Sequence, residues 1–197
     1  MNLADGIAVQ LAALCLDDDG RLGDSPLWDV AARGALLVDL ARAGRLTDEP
    51  DGVVIDPAPT GFEPADRLLA AVAVEPEQSL DWWLEHGDVG MQDIAEAAVA
   101  TGRWTADGAL LGRRYEDRSA TADEPFDPQR PEDLSPDAAA VMLLAAACGA
   151  LGDPEPVFEE DLAPTGPLRW ICEAVTDQLQ ESYRRDPGGE DDGGVVP

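Results

Sequence analysis

The stretch LCLDDDGRL, Leu14 to Leu22, sets three carboxylates in a row ahead of a glycine, and such groups can hold a hard divalent cation. A helix-loop-helix calcium loop needs oxygen ligands at its first, third and fifth positions, glycine at the sixth and glutamate at the twelfth. With Gly20 at the sixth position, Cys15 falls at the first and Pro26 at the twelfth, and neither supplies the oxygen required. What remains is Asp-Gly between two apolar runs, a turn in which aspartate bonds its own backbone and glycine accepts positive φ. Glu159, Glu160 and Asp161 form a second acidic run. It reads either as a solvated loop or as a cation site.

Nucleophiles are few. Cys15, Cys148 and Cys172 lie in apolar helical contexts without the electropositive surroundings that lower a thiol pKa, so they read as buried thiols of a reducing compartment. The single histidine, His86, precedes Gly87 and reads as a helix-end residue favoured by the dipole. The chain has no G-x-S-x-G elbow, phosphate loop or dinucleotide fingerprint. The expectation is therefore a non-catalytic protein without cofactor or metal, a metal-dependent enzyme at Glu159–Asp161 being the third-ranked reading. Trp28 and Arg33, five residues apart, supply an indole and a guanidinium that could cradle a phosphorylated headgroup, or simply pack.

The charge narrows the partner. Forty-one acidic residues against thirteen basic ones give a net charge of −28, and every basic residue is an arginine. A field of that sign repels phosphate backbones, which excludes nucleic acid as the expected partner. Arg113, Arg114 and Arg118 form the one basic cluster, where an anion could land or where neighbouring acids are simply neutralised. No run reaches the length of a membrane span, and no leader pattern opens the chain. The protein reads as cytoplasmic, with peripheral membrane attachment as a variant.

These residues must be positioned by helices. Ile7 to Leu16 reads as a short helix with Asp5 as cap, and Ser25-Pro26 as the start of a second that runs to Gly44. Helices follow at about 64–74, from Ser79, and over 89–101; Ala138 to Leu151, the most apolar run, reads as the buried central helix, and 167–185 as the last. ARAGRLTDEPDGVVI and AVATGRWTADGALL repeat one pattern of helix, Gly, Arg and a short hairpin, the second hairpin strand falling at Ala109-Leu110-Leu111. The segment 116–134 reads as an exposed loop and 186–197 as a disordered acidic, glycine-rich tail behind a helical domain of residues 1–185. A mainly α fold follows, one helical domain around a buried central helix with two short β-hairpins.

The order of LCLDDDGRL, RGALLVDLARAGRL, DPAPTGFEPADRLLAAV, SLDWWLEHG, IAEAAVATGRW and LSPDAAAVMLLAAACGAL resembles the Golgi phosphoprotein 3 family, in the form found in actinobacteria, over about 7–183. The resemblance implies a phosphatidylinositol 4-phosphate-binding adaptor that is not an enzyme. It maps lipid-headgroup contacts onto Trp28 and Arg33, but the family's further arginines fall where this chain has Asp88, Met91 and Asp93. It also implies membrane contact or self-association through the hairpin Ala109–Tyr115, with Leu110 and Leu111 at its tip and Arg113, Arg114 and Arg118 beside it. A protein partner is expected ahead of the phosphoinositide or another anionic lipid.

Overall fold

The computed structural model describes residues 2–50, 52–108, 113–118 and 134–185. Its elements are α1 (Ile7–Leu14), α2 (Pro26–Arg42), β1 (Leu46–Glu49), β2 (Gly52–Ile55), α3 (Glu63–Val74), α4 (Leu80–His86), α5 (Met91–Ala100), β3 (Trp104–Asp107), β4 (Arg114–Asp117), α6 (Pro136–Ala147), α7 (Glu159–Leu162) and α8 (Arg169–Arg185). The fold is mainly α, with β1–β2 and β3–β4 as separate antiparallel hairpins, as the residue pattern predicts. The expected tail, 186–197, lies outside the described residues, as does most of the 116–134 loop.

The helix at the centre is α2. Every residue from Val30 to Leu40 is buried, the polar Arg33 and Asp39 included, and α2 packs against α1, α4, α5 and α8. This corrects the assignment of that role to Ala138–Leu151. Helix α6 ends at Ala147 and leaves Ala138, Met142 and Ala146 half exposed. The largely apolar composition of α6 suggested burial all round, whereas α2 reaches the centre with Arg33 and Asp39 satisfied inside the core. Gly34 makes the α2–α8 crossing possible: a Cβ there would be driven into Val175, so only a bare Cα lets the backbones approach this closely.

The start of α1 is capped from a distance. Asp5 was expected to cap it, but Asp5 pairs with Arg103 at 2.8 Å. Asp39 of α2 instead accepts the Ile7 amide on Oδ1 at 2.9 Å and the Ala8 amide on Oδ2 at 3.0 Å. Two otherwise orphaned helix amides are thereby satisfied. Ser25 also departs from expectation: α2 begins at Pro26 as predicted, but Ser25 makes no side-chain cap bond and its carbonyl accepts the Trp28 amide. Ser79 and Ser135 do cap, accepting the amides of Trp82 and Ala138.

The repeat is structural as well as sequential. Gly44 and Gly102 take positive φ of 67° and 76°, and the arginine after each donates its amide back to Leu40 or Ala98. The second hairpin differs from expectation at its return strand, which is Arg114–Asp117 and not Ala109–Leu111. Tyr115 explains the register, because its buried ring packs 5.9 Å from Trp104 and its hydroxyl donates to Glu96. Leu110 and Leu111 lie outside the described residues.

The acidic run that opens the sequence is a turn. Asp17 Oδ1 accepts the amides of Asp19 and Arg21 at 2.9 and 2.8 Å, and Gly20 follows at φ 74°. The turn is also docked, since the Gly20 carbonyl accepts the Tyr115 amide at 2.7 Å and Asp19 pairs with Arg114 at 3.0 Å.

Candidate functional site

The first turn of α2, the ends of α4 and α6 and the last turn of α8 enclose a cavity of about 620 Å³ whose lining includes Trp28, Arg33, Glu85, Cys148, Tyr183 and Arg185. The structure therefore brings the two sequence-predicted residues, Trp28 and Arg33, into one wall. Trp28 is half buried, and its indole N–H donates to the Cys148 carbonyl at 3.1 Å, tying α2 to the end of α6. That bond holds the indole ring in the cavity wall.

Arg33 is committed to the fold. Only 6% of it is exposed. Its Nε–H donates to the Leu84 carbonyl at 2.6 Å, Nη1 to Val89 at 2.9 Å and Nη2 to Glu85 at 3.4 Å. These carbonyls belong to the C-terminal turn of α4 and the segment after it, where helix acceptors lack partners and partial negative charge accumulates. Gly87 allows the approach, as a Cβ there would strike Arg33 Cδ. Burial pulls the guanidinium below its ordinary pKa, while Asp29 and Asp88 act in the opposite direction. Of the five N–H donors of a guanidinium, three are thus taken by main chain.

The second cation of the cavity, Arg185, escaped the sequence reading because it lies in the final turn of the last helix, far along the chain from Trp28. It is half exposed and is shared between Glu85 and Glu181, the latter at 2.7 Å. Both carboxylates hold its pKa above the ordinary value, Glu181 first. Asp29 also lines the cavity and accepts the Met91 amide at 2.9 Å. Two arginines thus meet two carboxylates, Asp29 and Glu85, in one cavity.

The other sequence candidates are spread over the surface. Arg113 pairs with Glu96, whose carboxyl is held below its ordinary pKa by Arg113, Gln92 and Tyr115 against the opposing effect of partial burial. Arg114 pairs with Asp19, and Arg118 is exposed at the far end of β4. Where the resemblance expected further arginines, Asp93 and Asp88 instead bind Arg67, at 2.6 and 3.2 Å. Glu159 pairs with Arg169, and Asp161 caps the Phe158 amide. Among the described residues no three histidine, cysteine or acidic side chains converge on a common metal position. Nor is any helix among them long and apolar enough to cross a membrane. His86 ends α4 and stacks on Trp82 at 4.9 Å.

Comparison with known proteins gives the lineage. A model of the family Golgi phosphoprotein 3 (GPP34) matches residues 7–181, and the chain belongs to that family. No curated protein matches the chain.

Proposed function

We propose that this member of the Golgi phosphoprotein 3 family is a non-catalytic binding domain whose ligand is a protein and not a phosphoinositide. The observation that supports this is the commitment of the cavity's cations: Arg33 donates to three carbonyls, and Arg185 faces Glu85 and Glu181. A phosphate entering the cavity would have to compete with carboxylates already in place, and it would meet a chain of net charge −28. The same acidic surface attracts cationic protein segments, for which charge complementarity raises encounter rates and rejects wrong partners.

Cosedimentation with phosphatidylcholine vesicles, with and without phosphatidylinositol 4-phosphate, at low and physiological salt, tests the reading. The expected result is no phosphoinositide-dependent retention at either salt. Selective retention abolished by Arg185→Glu would overturn it in favour of a lipid headgroup in the cavity. Arg185 is the informative position because it is exposed, whereas loss of Arg33 removes a structural tie of α4.

A further inference from the structure

A second concavity, of about 660 Å³, lies between β2 and the α3–α4 connection. Val53, Ile55 and Pro57 form one wall, and Val72, Pro76, Leu80 and Trp83 line the others. No arginine lines it.

The wall made by β2 has an open edge. Asp56 donates its amide to the Arg45 carbonyl at 2.8 Å, closing the ladder one pair beyond Leu46↔Ile55. Antiparallel pairs alternate between bonded and non-bonded, so Val54 faces β1 through its main chain, while the amides and carbonyls of Val53 and Ile55 point away from it. Among the described residues the hairpin has only two strands, and no further strand lies beside this edge. Val53 is also 37% exposed, an apolar side chain on an unpaired edge of the kind that recruits another strand.

The surroundings are acidic and uncompensated. Asp81 lines the groove, Asp48 lies across the ladder from Val53, and Glu75 and Glu77 flank Pro76. None of these four takes part in a salt bridge among the described residues, whereas Asp56 at the base of the hairpin pairs with Arg45 at 2.8 Å. An apolar floor, a free strand edge and a rim of unneutralised carboxylates specify one kind of occupant.

We propose that the β2 edge and its groove bind an extended segment of a partner protein in which apolar residues alternate with arginine or lysine, added to β2 as a third strand. Main-chain bonds to Val53 and Ile55 supply affinity, the groove takes alternate apolar side chains, and the acidic rim selects for cations. A second copy of the chain does not fit, because pairing β2 with its own counterpart would bring like rims together. The chain's segments 119–133 and 186–197 carry one arginine between them amid many acids and lack the same complementarity. This inference rests on the protein-binding reading and names the partner's chemistry.

The probe is a short fluorescein-labelled synthetic peptide alternating valine with arginine, titrated into the full chain by anisotropy. Amide shifts of Val53 and Ile55 are followed by NMR. Binding should move both amides and weaken with salt, and Val53→Pro, which deletes an outward N–H without altering charge, should weaken it about tenfold. The peptide N-methylated on its valines should fail against the unaltered protein, which keeps the test valid if Val53→Pro perturbs the hairpin. Equal affinity for Val53→Pro and for the N-methylated peptide would mean charge attraction alone and overturn the site. So would concentration-dependent dimerisation that the peptide does not reverse. No peptide binding, with vesicles still ignored, removes the groove and leaves the protein-binding reading. Vesicle retention removes the broader reading whatever the peptide does.

Discussion

Asp39 makes the pH dependence of this fold unusual in sign. Its carboxylate is fully buried, accepts two α1 amides and lies 3.7 Å from Arg42. Burial nevertheless dominates, because Arg42 turns mainly to Asp137 at 2.6 Å and Asp137 itself opposes ionisation. The pKa of Asp39 is pushed up from 3.8 to about 6, burial being the leading cause and the Ala8 and Ile7 amides opposing it. The native state thus holds a proton that the unfolded chain has released between about pH 4 and pH 6. Its contribution to stability is fully present below the unfolded value and is lost as pH rises through about 6. The difference of about two units corresponds to about 3 kcal/mol at 1.36 kcal/mol per unit.

With 41 acidic residues, the total pH profile mixes many titrations, so the assay is a difference. Urea unfolding of the unaltered chain and of Asp39→Asn, across about pH 4 to pH 7, cancels what the two share. Asparagine can accept one α1 amide but turns an N–H toward the other, so the variant is the less stable protein at acid pH. Its disadvantage should shrink by about 3 kcal/mol toward neutral pH. A disadvantage that grows with pH, or a carboxyl carbon titrating below about 4 by NMR, would mean that amides and Arg42 outweigh burial and would refute the argument.

Further outcomes follow from the same packing. Gly34→Ala should cost about 1–3 kcal/mol through collision with Val175, and Val175→Ala in the same chain should recover part of it, a non-additivity that urea midpoints of the four proteins would expose. Arg33→Met keeps the stem but strands the carbonyls of Leu84 and Val89, so unfolding free energy should fall by about 3 kcal/mol; an unchanged value would show that Arg33 is free for a ligand. The thiols of Cys15 and Cys172 should resist a disulfide reagent at mildly alkaline pH until denaturant is added. Burial pushes Cys172 up to about 12, and the hydrogen bond to Cys148, with burial, pushes Cys15 up. Rapid native labelling would contradict that.

The element pattern was largely legible because its signals are local. Pro26, Ser79 and Pro136 start helices where they stand, and Gly44 and Gly102 end them. What failed was set by partners distant in the chain. Asp5 has the right type and position for a cap, yet Asp39, thirty-two residues away, takes the Ile7 amide. The return strand of the second hairpin followed the burial of Tyr115 against Trp104, a demand that Asp107-Gly108 does not encode. The alanine-rich α6 read as the centre because composition reports how apolar a helix is, not how many neighbours surround it.

The candidate site shows the same limit more sharply. Sequence spacing put Trp28 and Arg33 together, and they do share a wall; what spacing could not convey is how many donors Arg33 retains. A guanidinium becomes a ligand-binding group only through N–H donors that the fold has not used, and three of the five on Arg33 serve the end of α4. Arg185 carries its own carboxylates, and Arg67 is held by the acidic residues that stand where the family resemblance called for arginine. In a chain with 41 acids and 13 arginines, the arginines of the candidate cavity are already engaged, while carboxylates outnumber the cations that could pair with them. The unsatisfied charges of this surface are therefore mostly carboxylates, such as those around the β2 groove, and a ligand suited to them must bring the positive charge itself.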